Sequence, residues 1–332
     1  MGLLLKGLLP FFLLVSAAMA KPMQVYFIDV EGGQATLIVS PSGQSMLVDT
    51  GWAGFEGRDA DRIAAAAKDA GVKQIDYLVI THYHGDHVGG VTQLAAKLPI
   101  RTFVDHGPNT ETGANAEKLS SAWQQAYEKA KHLVVKPGDR IPVKGLDIKV
   151  LAARGELVKG GSPNPHCGGF EMRKPDPTEN ARSLGTLIAH GKFRLVDLGD
   201  LTWNKEHELV CPNNPIGKVD VYLSTHHGTN TSGPASIVHA LAPRVAVFNN
   251  GAKKGGSPEA WKVVRSSPGI EDIWQLHFAL AGGQEHNTAE QLTANPQEQC
   301  EGKWIKLSAE PDGTFTLING RNGHQKTYKP KG

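Results

Sequence analysis

The sequence predicts an α/β fold made of two pseudo-symmetric halves, each contributing one sheet with helices on its outer face. Three blocks of sequence occur twice, in the same order. Residues 36–38 and 47–51 recur as 186–188 and 195–199, residues 76–82 recur as 220–226, and residues 101–107 recur as 244–251. His106 follows His82 by 24 residues, and Asn250 follows His226 by the same 24. This repeat is too long for a solenoid and indicates one fold made of two similar halves.

The first half begins with short apolar runs separated by turn residues, which is typical of strands. The predicted strands are residues 23–30, 35–40, 45–49, 75–80 and 101–105. An alanine-rich stretch that ends at Gly71 and the stretch after the fourth strand have helical character. The predicted helices are residues 59–70 and 88–98.

Further elements lie between and after the repeated blocks. Residues 113–132 predict an amphipathic helix, residues 146–152 a strand, and the Gly- and Pro-rich residues 154–182 a lid-like loop. We therefore expect one domain over residues 21–332, with halves at about 21–153 and 183–332. The C-terminal segments predict edge strands of one sheet at residues 303–308, 313–318 and 326–328.

Composition is that of an ordinary globular protein. Of the 332 residues, 40% are hydrophobic and 20% are charged, and the formal net charge is +2. This net charge is lower than that of a typical nucleic-acid binder. The sequence also shows no basic stripe with interleaved aromatic residues, so it does not favour a nucleic-acid partner. We expect a small-molecule or phosphodiester substrate, and the sequence carries no prediction of the oligomeric state.

Residues 1–20 have the pattern of a signal peptide. Lys6 precedes an apolar run, and Ala18 and Ala20 form a small-residue cleavage site. The run is short for a membrane span, which leaves an uncleaved anchor as the weaker alternative. We expect cleavage near Ala20, no membrane span in the mature chain, and an exported, periplasmic or secreted protein.

Three cysteines suit one disulfide and one free thiol in an oxidising compartment. We favour the pair Cys167 and Cys211 among the three possible pairings, with Cys300 free. Three unpaired thiols remain the alternative.

One loop concentrates metal-ligating side chains between a predicted strand and a predicted helix. His82, His84, Asp86 and His87 lie within six residues and are followed by Gly89 and Gly90. Imidazoles two residues apart can point the same way from an extended loop, while the next two ligands point elsewhere. The pattern therefore predicts two adjacent ions, for which mixed imidazole and carboxylate ligation suits zinc. The pseudo-symmetry brings His226 beside this loop.

This loop resembles the signature of the metallo-β-lactamase superfamily, and its flanks resemble the hydrolase domain of ComEC-type competence proteins. The resemblance implies a four-layer αβ/βα sandwich with two divalent ions, zinc or alternatively manganese. It implies that His82 and His84 bind the first ion, that Asp86, His87 and His226 bind the second, and that Asp200 bridges both. Asp200 can otherwise be read as a helix N-terminal residue.

The resemblance also assigns supporting roles. Asp86 and His227 are the candidate catalytic residues, with His227 donating a proton, holding a phosphate oxygen, or serving only as a structural imidazole. Asp49 is expected to orient a ligand histidine. Candidate substrate contacts are His106, His166, Asn180, Ser183, Asn250 and Lys254.

Several positions depart from the family pattern. Residues 179–183 hold no third histidine for the first ion but carry Asn180 and Ser183, as the competence branch does. Residues 31–34 and 255–258 differ from that branch. His166 is read by default as a solvated loop histidine, with a replacement ligand as the alternative. His106 is either a site residue or a cap of its strand.

The leading functional hypothesis is an exported binuclear-metal phosphodiesterase. Lys253, Lys254 or Arg182 is a candidate to bind a phosphoryl oxygen, with a solvated surface charge as the default reading of each. A lactone, ester or β-lactam hydrolase is the first alternative, which a third histidine near Asn180 would have favoured. The second alternative is a metal-binding surface module without catalytic activity.

Overall fold

The computed structural model describes residues 21–330. The predicted signal peptide therefore lies outside the described residues. Within them, no helix combines the length and the apolar character needed to cross a bilayer.

Nineteen strands are present in the described residues. In chain order they are β1 (Met23–Phe27), β2 (Thr36–Val39), β3 (Ser45–Val48), β4 (Ile75–Val79), β5 (Ile100–Asp105), β6 (Lys131–Val134), β7 (Asp147–Ala153), β8 (Glu156–Leu157), β9 (Ser162–Pro163), β10 (Gly185–His190), β11 (Phe193–Asp197), β12 (Asn213–Asn214), β13 (Val221–Leu223), β14 (Val245–Phe248), β15 (Asp272–His277), β16 (Thr293–Asn295), β17 (Ile305–Ala309), β18 (Phe315–Asn319) and β19 (Gln325–Tyr328).

Six α-helices accompany them. They are α1 (Arg58–Asp69), α2 (Val91–Ala95), α3 (Ala114–Tyr127), α4 (Trp203–Val210), α5 (Ala235–Leu241) and α6 (Pro258–Arg265). Short 3-10 turns add Glu179–Arg182 and Thr225–Gly228, which both lie near strand ends.

The two large sheets repeat the same topology, which confirms the predicted duplication. One sheet contains the order β1-β2-β3-β4-β5-β6, and the other contains β15-β14-β13-β11-β10-β7. In both, the first three strands pair antiparallel and the later ones pair parallel. The carboxyl ends of equivalent parallel strands therefore carry equivalent loops.

This matching moves the division between the halves. The counterpart of β1 is β7, so the second repeat begins at Asp147 rather than after residue 153 as the sequence suggested. The C-terminal strands β17, β18 and β19 are edge strands, as predicted, and they extend the first sheet from β1.

Three clusters of buried apolar residues define the layers of sheets and helices. The largest core cluster lies between the sheets and joins Val25 and Val48 of the first to Leu195 and Val245 of the second. A second cluster packs α1 and α3 on the outer face of the first sheet, and a third packs α4, α5 and α6 on the second. The order helix, sheet, sheet, helix confirms the predicted four-layer sandwich. Strands covered on both faces are apolar throughout, as in β14.

Two predicted helices are too long. The helix predicted at 88–98 is formed only at Val91–Ala95, because the residues before it fold into turns around the ligand loop. The helix predicted at 113–132 ends at Tyr127. Lys131–Val134 instead pairs in parallel with β5, so strand pairing prevails over the helical pattern there.

Candidate metal centre

The ligand residues follow neighbouring strand ends. β3 and β4 are parallel with Val48 opposite Val79, which places Asp49 beside the loop that begins at Thr81. The backbone N–H of Thr81 donates to the Asp49 carboxylate at 2.8 Å. In the second sheet, β11 and β13 lead to Asp200 and His226 in the same way. His226 N–H donates to the carbonyl of Gly199 at 3.0 Å, which links these two loops.

Four side chains from the two halves converge. Asp86, His87, Asp200 and His227 each place a ligand atom within 4.8 Å of the others. Asp200 Oδ2 lies 3.3 Å from His87 Nε2, and Asp200 Oδ1 lies 3.4 Å from His227 Nε2. Asp86 Oδ2 lies 3.3 Å from His227 Nε2. The two loops thus build one cluster, as the duplication predicted.

The buried nitrogens of this cluster show that the residues fit metal ions. Among residues 21–330, His82 Nε2, His87 Nε2 and both ring nitrogens of His227 are buried without a hydrogen-bond partner, as is Asp200 Oδ1. Buried polar atoms normally have partners, because leaving them unsatisfied costs about 1–3 kcal/mol each. Ligand atoms that point together in this way match a divalent centre.

The first predicted ion site is less enclosed. His82 is fully buried, and its ring centroid lies 4.7 Å from that of His84. The two rings are neighbours, as the spacing in the sequence predicted. His82 also lies against His87, with ring centroids 4.1 Å apart. The six predicted ligands therefore lie in one region, which fits a binuclear centre.

The two adjacent histidines after β13 take positions that differ from the prediction. His227 rather than His226 completes the group of four. His226 lies at its edge, with Nε2 3.3 Å from Asp200 Oδ2 and a side chain that is 15% exposed. Both residues have positive φ, 54° and 56°. That conformation costs about 1–3 kcal/mol per residue and is typical of functional sites.

Supporting side chains fix the ligands from behind. Asp49 accepts a hydrogen bond from His87 Nδ1 at 2.6 Å, the contact that an orienting carboxylate makes. The Thr81 hydroxyl lies 2.7 Å from Asp49 Oδ2 and 3.0 Å from His82 Nδ1. Ser183 Oγ accepts from the backbone N–H of Asp200 at 3.2 Å and lies 3.5 Å from His82 Nδ1. Ser183 therefore contacts two of the predicted metal ligands.

Close backbone approach explains one glycine of the motif. A Cβ at Gly90 would lie 2.2 Å from the carbonyl oxygen of Thr50. The φ of Gly90 is −75°, which any residue can adopt, so space alone requires glycine. The loop can therefore pack against the strand that carries Asp49.

Buried charges control the protonation of the cluster. Burial opposes ionisation of Asp200, yet His227 and His87 beside it hold its pKa well below the usual range. Burial also opposes protonation of His87, but Asp200, Asp86 and Asp49 raise its pKa well above the usual value. Burial, with His87 nearby, lowers the pKa of His82. The carboxylates thus attract positive charge into the cluster, which divalent ions would supply.

Glu111 is a site residue that the sequence did not reveal. Its Oε1 lies 3.0 Å from His84 Nε2 and accepts from the backbone N–H of Glu179. No motif surrounds Glu111, because it lies in an irregular loop after β5. Its contact with a predicted metal ligand therefore places Glu111 at the site.

Two predicted substrate contacts, His106 and Asn250, have hydrogen-bond partners within the protein. His106 Nε2 is bonded to Glu179 Oε2 at 3.0 Å, and both side chains are buried. Burial opposes ionisation of Glu179, but His106 and Thr110 lower the pKa of that carboxyl to about 2. Asn250 Nδ2 donates to the carbonyl of His277 at 2.9 Å and joins the ends of β14 and β15. Asn180 lies in the turn after Thr178, whose hydroxyl accepts its backbone N–H.

His166 is remote from the cluster, so the structure does not place it as a metal ligand. Its ring contacts that of His239, and it lines a cavity with Arg194 and Arg244. These arginines lie at the start of their strands, whereas the metal cluster follows the strand ends.

The loop that carries His166 is fixed to the second half. β9 pairs with β12, and Asn164 Nδ2 donates to the carbonyls of Val210 and Ser236. The predicted disulfide between Cys167 and Cys211 is confirmed. This part of the predicted lid-like loop therefore lies against α4 and α5, on the outer side of the second sheet.

Lys254 is the cation at the mouth of the cluster. Its Nζ contacts Asp86 Oδ2 and lies 5.0 Å from the centroid of the Trp52 ring. The Lys254 side chain is 34% exposed, so it can also meet a substrate. Lys253, by contrast, pairs with Glu298 and is 70% exposed.

Comparison with known proteins identifies the domain. The sequence profile of the metallo-beta-lactamase superfamily matches residues 28–171. The chain carries a metallo-β-lactamase domain. The predicted metallo-β-lactamase fold is confirmed.

Competence proteins are among the relatives of this metallo-β-lactamase domain, as predicted. Recombination protein 2 of Haemophilus influenzae is 25% identical over 252 residues, which cover 74% of this chain and 26% of the relative. ComE operon protein 3 of Bacillus subtilis is 24% identical over 257 residues, which cover 73% of this chain and 30% of the relative. The chain spans less than a third of the length of these relatives.

Two further similarities are shorter or lower in identity. Hydroxyacylglutathione hydrolase of Rhodopseudomonas palustris is 35% identical over 106 residues, which cover 32% of this chain and 35% of the relative. The metallo-beta-lactamase fold protein YhfI from Bacillus subtilis shares 15% identity with a TM-score of 0.47, over 76% of this chain and 95% of that one.

Proposed function

We propose that this domain is an exported binuclear hydrolase that cleaves a phosphodiester. The residues that would hold the ions are His82, His84, Asp86, His87, Asp200, His226 and His227, with zinc as the expected metal and manganese as the alternative. Bound divalent ions would lower the pKa of water and offset negative charge on the phosphoryl group. The observation that favours a phosphodiester substrate is Lys254, because it places a partly exposed cation beside the cluster.

The side chains at the site have different proposed roles. Asp49 and Thr81 hold His87 and His82 in fixed orientations through the buried hydrogen bonds at Nδ1. The Lys254 ammonium group would bind a non-bridging phosphoryl oxygen, which directs the phosphorus toward the cluster. His226 is held at Nδ1 by Thr231 and presents Nε2 beside Asp200, so it would bind an ion through Nε2.

The first test is hydrolysis of bis(p-nitrophenyl) phosphate by the metal-loaded protein beside Asp200→Ala. We expect turnover that is lost in the variant, because Asp200 contacts imidazoles of both loops. Absence of turnover in protein that holds two ions per chain would refute the phosphodiesterase proposal.

Lys254 is tested against its neighbour. Lys254→Met should lower kcat/KM for the anionic diester about 10–100-fold, the effect of about 1.4–2.8 kcal/mol from a lost charge-assisted contact. It should affect a neutral aryl ester much less. Lys253→Met is the matched control, since Lys253 pairs with Glu298. Equal losses for the two substrates would show that Lys254 does not recognise the phosphoryl charge.

Hydrolysis of a thioester, ester, lactone or β-lactam is the second candidate. The 35% identity to hydroxyacylglutathione hydrolase over 106 residues favours a thioester among these. A panel of thioester, lactone and cephalosporin substrates separates the two candidates. The dominant kcat/KM identifies the class of bond that is cleaved.

Export rests on the leader and on cysteine chemistry. The signal-peptide pattern ends at Ala20, and the disulfide between Cys167 and Cys211 suits an oxidising compartment. N-terminal sequencing of protein recovered from the periplasm or the medium should begin at Lys21. Recovery of uncleaved protein in the cytoplasmic fraction would contradict export.

A further inference from the structure

A second cluster of metal-ligating side chains shares no residue with the centre described above. Asp29, Glu31, His277 and Cys300 each place one ligand atom within 4.8 Å of the others. Asp29 follows β1 in the first sheet, and His277 ends β15 in the second. Cys300 lies in the segment between β16 and β17. Three parts of the chain that are distant in sequence therefore meet here.

The separations match a tetrahedral site. Zinc–ligand bonds of about 2.0–2.3 Å place the ligand atoms roughly 3.3–3.8 Å apart. Cys300 Sγ lies 3.3 Å from Asp29 Oδ2, 3.4 Å from Glu31 Oε1 and 3.8 Å from His277 Nε2. His277 Nε2 lies 3.4 Å from Glu31 Oε2. An ion would replace the 2.8 Å hydrogen bond between His277 and Asp29 and the hydrogen bonds from the Cys300 thiol to Asp29 and Glu31.

Charge also leaves room for a divalent ion. Arg62 Nη1 lies 2.8 Å from Asp29 and 3.1 Å from Glu31, and Nη2 lies 3.6 Å from Cys300 Sγ. Two carboxylates and a thiolate would carry three negative charges, of which Arg62 balances one. A divalent ion balances the other two, and a neutral set of charges is the least costly to bury.

We propose that Asp29, Glu31, His277 and Cys300 form a structural binding site for a divalent ion of the zinc class. The thiolate and imidazole select a softer ion than magnesium or calcium. Four protein ligands leave no open position, so this ion would stabilise the fold and would not react with a substrate. It would link the two sheets to the C-terminal segment, independently of the proposed activity.

The state of the thiol agrees with this role. Burial and the charge of Asp29 raise the pKa of Cys300 to about 12, so the ion-free protein holds a thiol and not a nucleophilic thiolate. Binding would form the sulfur–metal bond and release the thiol proton to water. A surface cavity of about 690 Å³, lined by Asn295, Gln299, Cys300 and Lys303, gives an ion access to the sulfur.

Cobalt substitution tests the site, because a cysteine thiolate bound to Co²⁺ absorbs strongly in the near ultraviolet. Cys167 and Cys211 are bonded to each other, so only Cys300 can give this band. We expect a band whose final intensity corresponds to one thiolate-bound Co²⁺ per chain and which disappears when zinc is added. The same ion should raise the Tm of the full-length mature protein.

Variants separate this site from the proposed catalytic centre. Cys300→Ser should lose the band. His277→Gln should lower the affinity of the site for cobalt at least tenfold. Asp200→Ala should keep the band, and His166→Gln is the matched histidine control. A folded wild-type protein that gives no band, although its Cys300 thiol reacts with a thiol reagent after unfolding, would overturn the proposal. So would a band of equal cobalt affinity in His277→Gln.

Discussion

Asp49 Oδ2 and His87 Nδ1 lie 2.6 Å apart, and neither side chain is exposed to solvent. The carboxylate therefore keeps a proton on Nδ1 and directs Nε2 toward Asp86 and Asp200. The orientation of one ligand thus depends on a residue that lies at the end of a different strand.

Asp49→Asn should weaken metal binding about 10–100-fold, because it keeps the size of the side chain but removes the charge behind His87. Competition with a chromogenic chelator measures the affinity. Asp76→Asn is the control, since Asp76 accepts a hydrogen bond from the backbone N–H of Ser45 outside the cluster. Equal affinity in the two variants would mean that Asp49 does not position the ligand.

Gly90→Ala should destabilise the protein by about 1–3 kcal/mol, because the new Cβ would collide with the carbonyl of Thr50. Urea unfolding of the metal-free protein measures the change in the free energy of unfolding. Gly168→Ala is the control, with nothing within 4 Å of the added Cβ. A Gly90→Ala midpoint equal to that of wild type would refute the packing argument.

Replacing both Cys167 and Cys211 by serine should lower the free energy of unfolding by about 4 kcal/mol, the loop-closure effect for a separation of 44 residues. Urea unfolding of the oxidised wild type beside the double variant gives the difference. A loss below about 1 kcal/mol would indicate that Asn164 and the short strand pair hold this loop without the disulfide.

Glu206→Gln should change how stability depends on pH. Burial raises the pKa of Glu206 from 4.5 to about 8, against the hydrogen bond from the Gly233 N–H. Between these pH values the folded protein keeps a proton that the unfolded chain has released. The stability contribution is therefore complete below pH 4.5 and falls as pH rises to about 8, by at most about 1.4 kcal/mol per unit.

Unfolding curves recorded from pH 5 to 9 check this effect. The slope should be reduced in Glu206→Gln and unchanged in Glu208→Gln, whose carboxylate is 50% exposed on the same helix. An identical slope in wild type and Glu206→Gln would contradict the assignment.

The fold was predictable because the sequence blocks that recur form equivalent strands in the two halves. Apolar strands that are covered on both faces occupy equivalent positions in the two sheets. The end of α3 was not predictable, because β6 depends on pairing with β5 and not on its own pattern. The role of β7 was missed since its counterpart, β1, has no comparable sequence block.

The site was predictable where ligands share a loop. His82, His84, Asp86 and His87 formed a compact motif, whereas Glu111 lies in a loop whose position only the folded chain defines. His166 had the chemistry of a ligand but lies beside His239, because the disulfide and Asn164 fix its loop elsewhere. The Cys300 cluster joins residues up to 271 positions apart, beyond the reach of local motifs.

β1 lies between β2 and β17, so residues 23–27 obtain their second neighbour only from residues 305–309. The ribosome therefore synthesises almost all of the described chain before β1 can pair with β17 and complete the first sheet. Until then β1 presents an open edge that can pair with other chains. We expect productive folding to follow translation rather than accompany it, with the nascent chain depending on chaperones that shield this edge.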